Sequence, residues 1–195
     1  MNKRMLRIIS GRAGGCRLHV PRGSRTRPTS DRVKEALFNI LPSVEGKKFL
    51  DLFAGTGSVG LEALSRGARE TVLVEKDPLM IESIRKNMVR CGLESGCLLL
   101  GVPFEKAVRI LEKREDRFDV IFADPPYGLQ FPERVVRRLE PGTLALPDAV
   151  LIIQHAVREA VPETGILAME DCRKYGDTEI SIFRFREVNN NKANG

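Results

Sequence analysis

The run Asp51-Leu52-Phe53-Ala54-Gly55-Thr56-Gly57-Ser58-Val59-Gly60 decides how the rest of the chain is read. Residues 49–53 read as a short, largely apolar strand. A helix is expected from the glycine turn to about Arg66, where Gly67 suits the C-terminal cap. A strand passing through glycines into a helix is the opening unit of a parallel α/β sheet. Gly55 and Gly57 would let backbone come close to a ligand at the carboxyl edge of the strands, where such sheets bind nucleotides. The spacing also satisfies Gly-x-Gly-x-x-Gly, so a dinucleotide-dependent dehydrogenase is a competing reading.

The alternation continues outward. Strands at 71–75, 97–100, 118–123 and 149–153 are separated by a helix over 78–91, opened by Pro78 and closed by Gly92, and by helical stretches near 104–113 and 131–139. Segments 173–175 and 178–185 flank Gly176-Asp177, a hairpin signal. The expectation is a Rossmann-like α/β fold. Its sheet is seven-stranded and mostly parallel, with right-handed crossovers and a C-terminal antiparallel hairpin.

Upstream, residues 5–9 and 16–20 read as short strands with Gly11, Gly14 and Gly15 between them, a small N-terminal β-hairpin. Residues 21–29 carry no periodic pattern. Ser30 suits an N-cap and Asp31 the first turn of a helix whose apolar face is Val33, Ala36, Leu37, Ile40 and Leu41, ended by Pro42. The organisation expected is a basic hairpin and loop over 1–29, a catalytic domain over 30–188, and a disordered polar tail over 189–195.

Charge is distributed unevenly. The net charge is +6, yet residues 1–34 hold ten Lys/Arg and a single acid, which leaves the remainder slightly acidic. A basic arm on an acidic body suits phosphate binding, with Arg22, Arg25 and Arg27 as the candidate RNA contacts; a merely solvated terminus is the alternative. No apolar run approaches the roughly 20 residues of a membrane helix. Arg7 and Arg12 interrupt anything like a signal-peptide core, so a cytoplasmic protein is expected. The four cysteines are scattered without a Cys-x-x-Cys pair, and there are two histidines. No metal site is expected, and the thiols are read as reduced, small hydrophobes.

Two motifs carry chemistry. The spacing Asp51-x-x-x-Gly55-x-Gly57 resembles the first motif of class I methyltransferases, whose acid lies near the methionine end of S-adenosylmethionine; a structural role fixing the turn is the alternative. Glu75, followed by Lys76, ends the second strand, where an acid can accept hydrogen bonds from ribose hydroxyls, though dehydrogenases place an acid there too. The sharper signal is Asp124-Pro125-Pro126-Tyr127 after the apolar strand Val120-Ile121-Phe122-Ala123. It resembles the Asp/Asn-Pro-Pro-Tyr/Phe motif of amino-group methyltransferases. An exocyclic base amine is a poor nucleophile because its lone pair is delocalised into the ring. A carboxylate and a backbone carbonyl that accept its N–H groups localise that pair and aim it. The prolines fix the turn, and Tyr127 offers a face for an unstacked base. Positioning supplies most of the catalysis and no metal is needed. A dehydrogenase has no use for this tetrapeptide.

The likeness then narrows to one family. Arg7-Ile8-Ile9-Ser10-Gly11, the run from Arg27-Pro28-Thr29-Ser30-Asp31 through Phe38-Asn39, the glycine loop and Gly60-Leu61-Glu62-Ala63-Leu64-Ser65-Arg66-Gly67-Ala68 resemble the bacterial RsmD family. That resemblance implies methylation of the exocyclic amino group of a guanine in 16S ribosomal RNA, with S-adenosylmethionine as cofactor. The partner would be ribosomal RNA or the small ribosomal subunit; a monomer is expected, though the residues themselves do not speak to oligomeric state. It implies that Phe53, Ala54, Gly55, Gly57 and Glu75 line the cofactor site, with Thr29 and Asp31 over its methionine end. Two departures stand out. Gly101-Val102-Pro103 replaces a short polar pair expected near the adenine, and Gln154-His155 stands where a glutamate is expected, with His155 read as a rim residue. A DNA adenine or cytosine methyltransferase and a non-catalytic RNA-binding protein are the alternatives. The short chain argues against the first and the intact tetrapeptide against the second.

Overall fold

The computed structural model describes residues 6–21, 31–41, 43–128 and 130–186. Seven strands form a single sheet: β1 (Lys48–Asp51), β2 (Glu70–Val74), β3 (Cys97–Leu100), β4 (Phe118–Ala123), β5 (Ala145–Ala156), β6 (Leu167–Tyr175) and β7 (Thr178–Phe185). Their order is β3-β2-β1-β4-β5-β7-β6. The first five are parallel, and β7 runs antiparallel to both β5 and β6. The helices are α1 (Asp31–Ile40), α2 (Ser58–Ser65), α3 (Pro78–Cys91), α4 (Phe104–Lys113) and α5 (Phe131–Leu139). The chain winds outward from β1 to β3, then returns to β4 on the other side of β1. That reversal leaves a crevice at the carboxyl ends of β1 and β4, the place where open α/β sheets take ligands.

Both sheet faces are covered, so the central strands are apolar almost throughout. Leu50, Val72, Ile121, Leu151 and Ile153 face α4 and α5 on one side. Phe49, Val120, Phe122, Val150 and Ile152 pack on the other side against Leu37, Phe38 and Leu41, from and just beyond α1. Gly60 in α2 is a packing requirement: a Cβ there would come within 2.1 Å of Leu73 Cδ2. The helix can therefore lie close on β2.

The N-terminal segment joins this body. Expected as a two-stranded hairpin, it carries among the described residues the antiparallel bridge Arg7↔Arg17, flanked by Ile8 N to Cys16 O and Leu18 N to Leu6 O bonds of 2.9 and 2.8 Å. Leu6, Ile8 and Leu18 share a cluster with Leu61, Leu64 and Ile84 of α2 and α3. An ion pair pins the same segment. Lys34 of α1 and Glu62 of α2 meet at 3.4 Å with both side chains wholly buried, and burial lowers the Lys34 pKa. Glu62 also accepts from Ile9 N at 2.7 Å, Ser10 N at 3.0 Å and Arg66 Nε at 2.8 Å, while Lys34 Nζ donates to the Arg7 carbonyl. Its carboxylate is thus matched by several donors, which a buried charge requires.

Several expectations are corrected. Cys16 and Cys91 are not separate thiols but a disulfide, with Cα atoms 5.8 Å apart, that ties the N-terminal segment to the end of α3. Their 75-residue separation hid the pairing. Cys97 and Cys172 remain free, and burial raises the Cys97 thiol to about 12. His155 is not a rim residue: it is 2% exposed, with Nε2 2.8 Å from Ser181 Oγ. Its neighbour across the strand pair, β7, covers it. Strands β5 and β6 also begin earlier than expected, because Pro147-Asp148 and Glu170-Asp171 break the apolar pattern within them, and β5 and β6 each shift register against a neighbour. Residues 22–30 and 187–195, and with them the expected loop and tail, lie outside the described residues. Among the described residues no helix is long and apolar enough to cross a membrane.

Candidate active site

The glycine turn is built by short local bonds at the end of β1. Ala54 N reaches back to Val74 O at 2.9 Å and Gly57 N to Ala54 O at 2.7 Å. Gly57 then caps α2 in the left-handed conformation, φ 81°, which a side chain would resist. A Cβ built on Gly55 meets no atom within 4 Å, so the space over the turn is open.

Two acids hold this turn from beneath and beside it. Asp51 is buried, its Oδ1 accepting from Phe53 N at 3.3 Å and its Oδ2 from Gly60 N at 3.2 Å. Burial raises its pKa to about 8; the backbone N–H groups of Phe53 and Gly60 oppose the shift, and the charges of Asp124 and Glu75 add to it. Glu75 takes Gly55 N on Oε2 and the N–H groups of Lys76 and Asp77 on Oε1, all at 2.8 Å. A carboxylate has about four acceptor positions. Glu75 therefore shapes the turn and retains capacity for one further donor. Lys76 contributes its backbone N–H to this network, and its side chain is exposed.

Phe53 closes the far side. Its ring lies 5.1 Å from Phe104 and meets Phe131 edge-on at 6.1 Å, with Arg134 stacked over Phe131 at 4.5 Å. Val102 packs on the same cluster. One end of the crevice is thus apolar and the other acidic, which fits a cofactor with an adenine at one end and cationic groups at the other.

The tetrapeptide stands beside this cradle, because β1 and β4 are paired neighbours in register Asp51↔Phe122. Asp124 is half-buried and Pro125 buried, while Pro126 and Tyr127 face solvent. The Tyr127 hydroxyl lies 3.2 Å from Thr178 Oγ1 on β7. Glu159 braces the exit of the turn, accepting from Gly128 N at 2.6 Å and Ala156 N at 3.0 Å. Asp31, at the start of α1, pairs with Arg7 at 3.6 Å and leaves Oδ1 buried with no partner. Thr29, Arg22, Arg25 and Arg27 lie outside the described residues. Among those described, no group of three or more His, Cys, Asp or Glu could hold a metal ion.

Sequence reading missed Phe104, Phe131, Glu159 and Asn87. For Asn87 a signal existed: Ser83 and Asn87 are polar residues on the buried face of α3 with Met80 and Ile84, where a helix normally carries apolar residues.

Sheet order, antiparallel β7 and the paired motifs at β1 and β4 together define a Rossmann-like methyltransferase fold. Comparison with known proteins narrows this. A family model described as conserved hypothetical protein 95 matches residues 6–184. The putative rRNA methyltransferase YlbH of Bacillus subtilis is 35% identical over 183 residues, covering 93% of this chain and all of that protein. The ribosomal RNA small subunit methyltransferase D of Escherichia coli is 34% identical, covering 80% of this chain and 78% of that protein. The solved structure of the putative methyltransferase yhhF from Escherichia coli superposes with a TM-score of 0.82 at 28% identity, covering 93% and 98% of the two chains. The chain belongs to the RsmD family.

Proposed function

We propose that this protein transfers a methyl group from S-adenosylmethionine to the exocyclic N2 amine of a guanine in small-subunit ribosomal RNA. The observation that carries the reading is the juxtaposition of Asp124-Pro125-Pro126-Tyr127, at the end of β4, with the open glycine cradle at the end of β1. The names of the relatives supply the RNA class. When bound, the cofactor supplies an electrophilic methyl on a sulfonium.

The protein's part is binding and aim. Gly55 and Gly57 admit the cofactor against backbone. Glu75 offers an acceptor for a ribose hydroxyl, Phe53 and Val102 an apolar wall for adenine. Asp51 and Asp31 serve the methionine end, a role that the family resemblance also gives to Thr29. Asp124 accepts one N–H of the guanine amine and a nearby backbone carbonyl the other, so the nitrogen lone pair turns toward the methyl. Tyr127 stacks on the flipped base. The basic segment up to Lys34, with Arg22, Arg25 and Arg27, supplies phosphate affinity, and its described part is fixed to α2 and α3 rather than tethered loosely. The protein is read as a cytoplasmic monomer that needs no metal.

The test is transfer of labelled methyl to purified small subunits, naked small-subunit RNA and duplex DNA in parallel, followed by mapping of the labelled nucleotide. Label in an RNA guanine, released as the N2-methyl base, is expected. Label only in DNA, or on another base, would overturn the reading.

A further inference from the structure

We propose that Gln154 reads the Watson–Crick edge of the target guanine next to Asp124 and so helps set which base is accepted; this rests on the function just given. Ala123 on β4 pairs with Ile153 on β5, which makes Asp124 and Gln154 the next residues on neighbouring strands. Their faces agree. Val120 and Phe122 on β4, Val150 and Ile152 on β5, and Ile180 and Ile182 on β7 share one cluster. Period-two alternation carries Asp124 and Gln154 to that same side.

Gln154 is 6% exposed, and its Oε1 is shut off from solvent without a hydrogen-bond partner. Buried polar atoms are nearly always matched, so an unmatched one beside a substrate site calls for an explanation. A ligand that completes it is the simplest. Strand β5 lies between β4 and β7 in the sheet. Tyr127 follows β4, yet its hydroxyl meets Thr178 on β7. The side chain therefore crosses the end of β5, where Thr178 pairs with Ala156, two residues beyond Gln154. In the free protein Tyr127 thus spans the strand end just beyond Gln154, and a swing that stacks its ring on a base would clear that end and let the base's edge reach Gln154.

Guanine matches what would then be presented. Its edge runs N2 amine, N1–H, O6, a span close to the spacing of about 4.8 Å between adjacent strands. With N2 at Asp124, N1–H falls to Gln154 Oε1 and O6 to Nε2. The residue is a specificity determinant and takes no part in the methyl transfer itself.

The experiment uses small-subunit RNA carrying either guanosine or 2-aminopurine at the nucleotide located by the mapping above. The analogue keeps the N2 amine but lacks both N1–H and O6. Single-turnover methyl transfer is measured for the wild type and Gln154→Leu. Intrinsic reactivity differences between the bases cancel when the two proteins are compared, and a rate ratio within one preparation does not depend on the fraction folded. The expected result is that Gln154→Leu lowers the guanosine:2-aminopurine ratio by about tenfold or more, as loss of a matched polar contact does, mainly by slowing guanosine. An unchanged ratio, with both proteins still methylating RNA, overturns the role of Gln154 and leaves the function intact. A wild type that methylates neither RNA overturns the function itself. Should the leucine variant not fold, Gln154→Met is measured in the same way and decides by the same ratio.

Discussion

Asn87 Nδ2 donates a 2.9 Å hydrogen bond to the carbonyl of Thr56, the residue between the two glycines of the turn after β1. The same side chain also holds the N-terminal segment, taking His19 N on Oδ1 at 2.6 Å and giving a second Nδ2 bond to His19 O at 3.1 Å. Ser83 Oγ adds a 2.7 Å bond to that carbonyl. A wholly buried amide on α3 thus links the base of the basic arm to the cradle.

This link gives an ordered prediction. Asn87→Ala takes the partner from His19 N and Thr56 O, while the His19 carbonyl keeps Ser83 Oγ, and should cost roughly 1–3 kcal/mol in stability. Asn87→Asp should be worse despite its closer shape, because its carboxylate would face two carbonyl oxygens where the amide donates. Urea denaturation of both variants checks the order. Aspartate milder than alanine would mean that Nδ2 does not make these bonds.

What could be read from the sequence follows from how local each feature is. The crevice was legible because its residues are neighbours in sequence: Gly55, Gly57 and Gly60 within one turn, and Asp124 to Tyr127 in one tetrapeptide. Boundaries of α3, β3, α4, β4, α5 and β7 followed from apolar period and Pro/Gly punctuation. What was hidden depends on distant partners. Glu159 contacts Gly128 across 31 residues, Asn87 contacts His19 across 68, and the disulfide closes 75. Glu75 was placed at the site, but its grip on the turn's own N–H groups becomes visible only when β2 lies beside β1.

The Cys16–Cys91 link predicts a redox-dependent stability. Closing a loop of 75 residues removes denatured-state freedom equivalent to about 4 kcal/mol in the chain-entropy account. In a chain of this size that corresponds to a Tm lowered by roughly 10 °C on reduction. Thiol titration of the unfolded, unreduced protein should find Cys97 and Cys172 alone. Reducing compartments oppose such bonds. Four titratable thiols before reductant is added, with a Tm indifferent to dithiothreitol, would show that the link does not form in solution.

Asp51 gives a pH dependence. Its pKa is raised from 3.8 to about 8, foremost by burial. A carboxyl raised in the folded state holds its proton while the unfolded chain releases it. Its contribution to stability is therefore full below pH of about 4 and is lost as pH climbs to about 8. Cationic groups of a bound S-adenosylmethionine favour the ionised form. Binding near pH 7 should release a proton, and affinity should rise between pH of about 6 and 8. Calorimetric titration in two buffers of different ionisation enthalpy measures this. Heats that do not depend on the buffer would mean that Asp51 is already ionised before the cofactor arrives.

Asp124 separates orientation from proton abstraction. If its carboxylate turns the guanine amine, Asp124→Ala should keep cofactor affinity and lose about 3–4 kcal/mol of transition-state stabilisation, or roughly two to three decades in rate. Asp124→Asn keeps a side-chain carbonyl that accepts one N–H, so it should retain partial activity and exceed alanine. A general base predicts a different order, with asparagine as inactive as alanine, since an amide takes no proton at neutral pH. Cofactor titration checks that both variants fold. Single-turnover transfer to saturating RNA for the three proteins then distinguishes the mechanisms. Wild-type rates in Asp124→Ala would remove the tetrapeptide from the reaction, and with it the observation on which the proposed function stands.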